Sequence, residues 1–157
     1  MVEQYQIKLK KAITELQIAD HMALVTYPLI KDKRVLLKSF EKLYSSIINL
    51  ISAILQYEYL WKRIKIYQDP KDNLKTFLDK LSPKYNVSKQ DLNEIKEMIL
   101  IFEEHKKSPI EFTKGEKIII MSKDLKTRTL DLNKIKIQIN LIKDLIKKFN
   151  EKAYQGV

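Results

Sequence analysis

The sequence has no cysteine, which removes disulfide bonds, thiolate nucleophiles and cysteine-ligated zinc together. Glycine occurs twice and proline four times in 157 residues, too few for a Gly-rich phosphate loop and in keeping with helices joined by short connections. Only two histidines are present, His21 and His105, and neither stands in a His-x-x-x-His or Glu-x-x-His pattern. The helix-borne motifs of zinc peptidases and di-iron bundles are therefore absent, as is a Gly-x-Ser-x-Gly elbow. No run reaches the roughly 18 uncharged apolar residues of a membrane span; "SSIINLISAIL" at 45–55 comes nearest. The opening "MVEQYQIKLKK" lacks the apolar segment of a signal peptide, so the expected compartment is the cytoplasm.

What is present describes one globular domain over residues 1–157, with 45% apolar and 32% charged residues. The formal charge is +10, from 30 Lys+Arg against 20 Asp+Glu. Such a surplus points to an anionic partner: RNA, DNA or an acidic protein. The cations are nearly all lysine, because arginine occurs only as Arg34, Arg63 and Arg128. A nucleic-acid reader often carries more of that planar fork, and a Lys- and Ile-rich genome would raise the charge without any function.

Apolar residues recur at alternating spacings of 3 and 4, the mark of amphipathic helices. Tyr5, Leu9, Ala12, Leu16, Ala19 and Ala23 predict a helix over 2–26, stopped by "YPLIKD", with Asp32 capping the next. Leu36, Phe40, Leu43, Ile47, Leu50, Ile54, Tyr57 and Trp61 predict the longest, over 33–67. Between 47 and 55 this helix is apolar on more than one face, with Ile48, Ile51 and Leu55 added, as for a central helix or one at a dimer contact. A short helix follows at about 71–81, and "SKQD" from Ser88 caps another over 89–107. The last, about 131–153, carries Leu132, Ile135, Ile139, Ile142, Ile146 and Phe149. The fold class is thus mainly α, an antiparallel bundle of four long helices and one short one.

One stretch departs from this pattern. "IEFT", "KG" and "EKIIIMS" read as a β-hairpin at about 110–129, with Gly115 at the turn and "LKTRTL" as a candidate third strand. An isolated hairpin is marginal in water, so it must pack on the helices through Ile118 and Ile120, or through Ile119 and Met121.

Three groups of residues are candidates for function. In "YEYLWKRIKIYQD" at 57–69, Tyr57, Tyr59, Trp61 and Tyr67 offer stacking faces while Lys62, Arg63 and Lys65 offer phosphate contacts. Tyr57 and Trp61 also continue the core stripe, so packing explains them too; Tyr59, off that stripe, separates the two explanations. The hairpin adds Lys114, Lys117, Lys123, Lys126 and Arg128, which can contact a phosphate backbone or simply guard an edge strand. Glu97 and Glu104 share a helix face but suit a solvated surface better than acid–base work, and His105 suits a helix C-terminus.

Residues 13–58, "ITELQIADHMALVTYPLIKDKRVLLKSFEKLYSSIINLISAILQYE", resemble the first two helices of HEPN-type helical domains. The resemblance implies an antiparallel spine of two long helices. The family's nucleases carry an Arg followed by His after four to six residues, and no such pair occurs here. What it implies is a non-catalytic member, in dimeric form, that binds RNA or protein.

The reading is a non-enzymatic binding module without metal, cofactor or membrane. Its basic surface engages RNA or an RNA-containing assembly through Tyr59, Lys62, Arg63, Lys65, Lys114, Lys117, Lys126 and Arg128. One alternative is a protein-interaction or homodimeric scaffold using Ile48, Ile51 and Leu55; the other is a divergent nuclease using His105.

Overall fold

The computed structural model describes residues 3–107 and 110–155. Among these residues, five helices and a three-stranded antiparallel sheet form a mainly α fold. Helix α1 covers residues 4–30 in three joined pieces: Gln4–His21, a wide π turn at Met22–Thr26, and Tyr27–Ile30. Helix α2 is Lys33–Leu60, and α3 covers residues 70–84 as Pro70–Thr76, a second π turn at Phe77–Leu81, and Ser82–Lys84. Helix α4 is Lys89–Lys106 and α5 is Leu132–Gln155.

Two prolines expected to stop helices lie inside them. A proline ring clashes with the carbonyl four residues back, here Leu24 for Pro28 and Asp79 for Pro83. In each case the preceding residue bonds five residues back instead, Tyr27 N–H to the Met22 carbonyl and Ser82 N–H to that of Phe77. The widened turn makes room for the ring, and the helix continues. Helix α1 ends at Lys31, which takes the left-handed conformation (φ 53) and returns its N–H to the Tyr27 carbonyl. Pro70 opens α3, where a missing N–H costs nothing. Pro109 lies outside the described residues.

Helices α1 and α2 form the antiparallel spine. Ala12, Ala19 and Ala23 are fully buried and bring the two backbones close. Ser46 and Ser39 of α2 donate their hydroxyls to the Ala12 and Ala19 carbonyls at 2.7 and 2.9 Å. The expected stripe of α2 from Leu36 to Tyr57 is buried throughout, and Ile51, Ala53 and Leu55 are buried on its other sides. That burial makes α2 the central helix. Helix α5 contributes Ile135, Ile139, Ile142 and Phe149 to the same core.

Strands β1 (Ile110–Lys114), β2 (Lys117–Met121) and β3 (Thr127–Leu130) pair in chain order. Gly115 takes φ 62 at the first position of the β1–β2 turn, where a two-residue hairpin of this kind favours glycine. Ile118 and Ile120 face the core, and Leu130, opposite Ile118, joins them. The inset is therefore a sheet with one face packed on the bundle.

Candidate nucleic-acid interface

The segment after α2 departs from the expected helix over 33–67. The helix stops at Leu60 because Lys62 turns into the left-handed region (φ 58). The Lys62 N–H bonds to the Tyr59 carbonyl at 2.9 Å and the Arg63 N–H to that of Glu58 at 3.0 Å. This pair of bonds is the Schellman closure, with lysine at the position glycine usually fills. Trp61, the cap residue just before this turn, still bonds its N–H to the Tyr57 carbonyl at 3.4 Å, yet it is 53% exposed, although Tyr57 one turn earlier is buried.

Beneath the turn lies Glu58, fully buried. It accepts hydrogen bonds from Tyr85 Oη at 2.7 Å, Lys84 Nζ at 2.8 Å and Arg63 Nη1 at 3.2 Å. Burial opposes its charge, but the donors outweigh that and hold the carboxyl below its ordinary pKa. Burial, together with the Glu58 charge, pushes the Tyr85 hydroxyl up, so it stays a neutral donor. Two cations against one carboxylate leave the cluster with a surplus positive charge.

Above this base the side chains face solvent. Tyr59 is 56% and Tyr67 45% exposed, with Leu60 and Ile66 exposed beside them, while Ile64 packs against the core. Lys62 and Lys65 are exposed and form no ion pair among the described residues. Arg63 is engaged by Glu58 and lies over the Trp61 ring at 5.8 Å. Tyr67 is fixed through its backbone: its N–H donates to Asn73 Oδ1 at 2.7 Å and its carbonyl accepts from Asn73 Nδ2 at 2.8 Å. Rings and ammonium groups are thus presented from a braced turn.

The second basic group is remote. The β1–β2 turn meets the start of α2, where Tyr27 Oη donates to Glu116 at 3.0 Å and Lys33 lies 3.9 Å from it. The 28 residues of α2 separate that end from Trp61 by about 40 Å. Lys114 and Lys117 face each other across the hairpin and are exposed, as is Lys123. Lys126 lies 4.0 Å from Asp124, and Arg128 is bound to Glu97 of α4 at 2.8 Å. The expected phosphate contacts therefore fall into two separate places, and Arg63 and Arg128 are each committed to a carboxylate.

His105, near the end of α4, is a clasp rather than a simple cap. Its Nδ1 meets Glu111 of β1, and its Nε2 meets Glu41 of α2 at 3.2 Å. Burial disfavours the charged ring, but bonding to Glu111 and then Glu41 prevails and raises its pKa.

Ile51 and Leu55 are buried and Ile48 is half-buried. All three line a groove of about 430 Å³ between α2, α4 and the start of α3, with Tyr44, Leu74 and Ile99. Tyr44 stacks on Phe102 of α4, rings 3.7 Å apart. Glu97 is taken by Arg128, so Glu97 and Glu104 do not act as a free pair.

Among the described residues, no group of three or more histidine or acidic side chains is placed to hold a metal ion, and no helix is long and apolar enough to cross a membrane. No family model matches the chain, and neither curated proteins nor solved structures include a significant match. Glu58, Lys84, Tyr85, Glu41 and Glu111 are the residues that sequence reasoning passes over. For Glu58 a signal exists: Ile54, Glu58 and Trp61 keep the 4, 3 spacing of the core, which puts an acid on an inner stripe.

Proposed function

We propose that the chain is a non-enzymatic binding module that engages RNA, or an RNA-containing assembly, at the turn following α2. One observation carries the reading: Tyr59, Trp61 and Tyr67 stand about half exposed around Lys62 and Lys65, two cations free of carboxylates among the described residues. Exposed rings cost solvation that core packing does not return, while lysines beside them supply phosphate contacts. The resemblance of residues 13–58 to HEPN-type domains points the same way, toward a binding rather than a cleaving member. The hairpin lysines Lys114 and Lys117 are too distant to join the same short footprint.

The test is binding of labelled RNA by fluorescence anisotropy across a salt series. Each phosphate contact to a single strand contributes a slope of about −0.7 in log affinity against log salt. Lys62→Ala with Lys65→Ala is expected to flatten the slope by about 1.4, whereas Lys114→Ala with Lys117→Ala leaves it nearly unchanged. No binding at about 50 mM salt, or a salt-independent affinity, refutes the proposal.

A second reading, a scaffold for a protein partner or a second copy, draws on the groove floored by Ile48, Ile51 and Leu55. A mass that rises with concentration in light scattering, and falls after Ile48→Glu, is its expected signature.

A further inference from the structure

We infer that the strand taken at this turn is single-stranded RNA, with unpaired bases stacked on Trp61, Tyr59 and Tyr67. The inference rests on the RNA reading above and names the form of RNA that fits.

A duplex keeps its bases stacked on one another and offers a protein mainly phosphates and groove edges. Lysines alone would serve it, and a duplex along the bundle would meet both basic groups. Here the two groups lie about 40 Å apart along α2. Among the described residues, the hairpin presents one exposed ring, Phe112, and the helix end three, Tyr59, Trp61 and Tyr67. Five large apolar side chains in nine residues, 59–67, are 41–56% exposed. Such faces are useful to a base that is free to leave its stack.

The Trp61 ring is also held ready. The Schellman closure at Lys62 fixes the backbone beneath Trp61, whose indole lies under Arg63, itself anchored on buried Glu58. Tyr57 meets the indole edge-on, with centroids 6.4 Å apart. The Asn73 amide bonds to both the N–H and the carbonyl of Tyr67 and so fixes the backbone from which that ring projects. Side chains fixed before binding lose little freedom on binding, so stacking there is gained at low entropic cost. Lys62 and Lys65 fall between the rings in the chain, where the phosphates linking successive bases would run. Hydrogen-bond readout of base identity is not part of this arrangement, so sequence preference is weak.

Trp61 is the only tryptophan, and it reports its own contact. The whole chain is titrated with a ten-nucleotide RNA of mixed sequence and, separately, with its blunt duplex, following tryptophan emission and anisotropy of a labelled strand. The single strand is expected to quench Trp61 and to bind at least tenfold tighter than the duplex. Trp61→Ala is expected to bind roughly five- to hundredfold more weakly with an unchanged salt slope. Tyr59→Ala, more than half exposed and outside the core, is expected to weaken binding in the same way, and it covers the case in which Trp61→Ala unfolds the turn. Equal affinity for both forms, without quenching and with no effect of Tyr59→Ala, overturns this inference and leaves a purely electrostatic RNA site standing. Absence of binding by either form overturns both.

Discussion

Glu58→Gln tests the base of the proposed site while changing little else. The substitution keeps the shape and one acceptor oxygen but removes the charge that three donors share. A hydrogen bond to a charged group is worth about 1 kcal/mol more than a neutral one, so three such bonds set an upper figure of about 3 kcal/mol. The side chains of Arg63 and Lys84 are 47% and 35% exposed and recover part of their hydration when released. The discounted expectation is a loss of about 2 kcal/mol, or about 4–8 °C in Tm for a chain of this size. The sign of the pH dependence follows from the lowered pKa of Glu58. Its contribution is present above the unfolded value of about 4.5 and is lost as pH falls through the folded value. Urea unfolding of both proteins at pH 7 and at stepwise lower pH should therefore show a gap that closes in acid. A gap below about 0.5 kcal/mol at pH 7, or one unchanged on acidification, would falsify the account of Glu58 as the ionic anchor of the turn.

Two further outcomes follow from the turn and the clasp. The raised pKa of His105 makes its contribution fully present below the unfolded value near 6.5 and lost as pH rises through the folded value. His105→Gln is thus expected to speed amide exchange in β1 and β2 at pH 6 by about fivefold, a loss of about 1 kcal/mol, with the difference shrinking toward pH 9; equal exchange at pH 6 refutes the clasp. Lys62→Gly relieves a non-glycine residue at φ 58 and is expected to stabilise the fold by about 0.5–1 kcal/mol in urea unfolding, while flattening the RNA salt slope by about 0.7. Lower stability after that change would refute the strain assigned to the turn.

Much of the fold is legible in the sequence because helix packing writes a local period. The stripe from Leu36 to Tyr57 repeats every 3 or 4 residues, and all of it is buried. Ser88 caps α4 by accepting from the Asp91 N–H, as its place before an apolar run implies. The sheet is legible because Gly115 stands between two β-branched runs. What is not legible depends on tertiary context. The proline rule marks Pro28 and Pro83 as stops, yet a single widened turn lets each helix continue. Conversely α2 ends at Leu60 without glycine or proline, because Arg63 and Lys62 close it through their own N–H groups and buried Glu58 holds the Arg63 side chain. The partners of Glu58 at the end of α3, Lys84 and the following Tyr85, lie 26 and 27 residues away, and Glu41 lies 64 residues from His105. No short-range pattern encodes those separations.

The net charge of +10 is weak support for the proposed function once it is placed in space. Lysines pair with acids within α1 (Lys11–Glu15), between α5 and α1 (Lys143–Asp20), between α5 and α4 (Lys134–Glu94) and within α5 (Lys148–Asp144). A surface laced this way is what a lysine-rich composition produces with or without an anionic partner, and exposed pairs of this kind contribute little. The hairpin illustrates the point, since Arg128 and Lys126 each stand by a carboxylate. What composition does not explain is an indole that keeps the helical period of the core and is nevertheless turned outward. Trp61 follows Tyr57 on the helical path, its N–H bonded to the Tyr57 carbonyl, and its indole is half exposed where the Tyr57 ring is buried. Just beyond it the chain holds Lys62 in the left-handed conformation and anchors Arg63 on a buried acid, so that the half-exposed ring is followed by Lys62 and Lys65, both exposed and without a carboxylate partner among the described residues. Trp61, rather than the lysine count, is the residue on which the proposed site stands or falls.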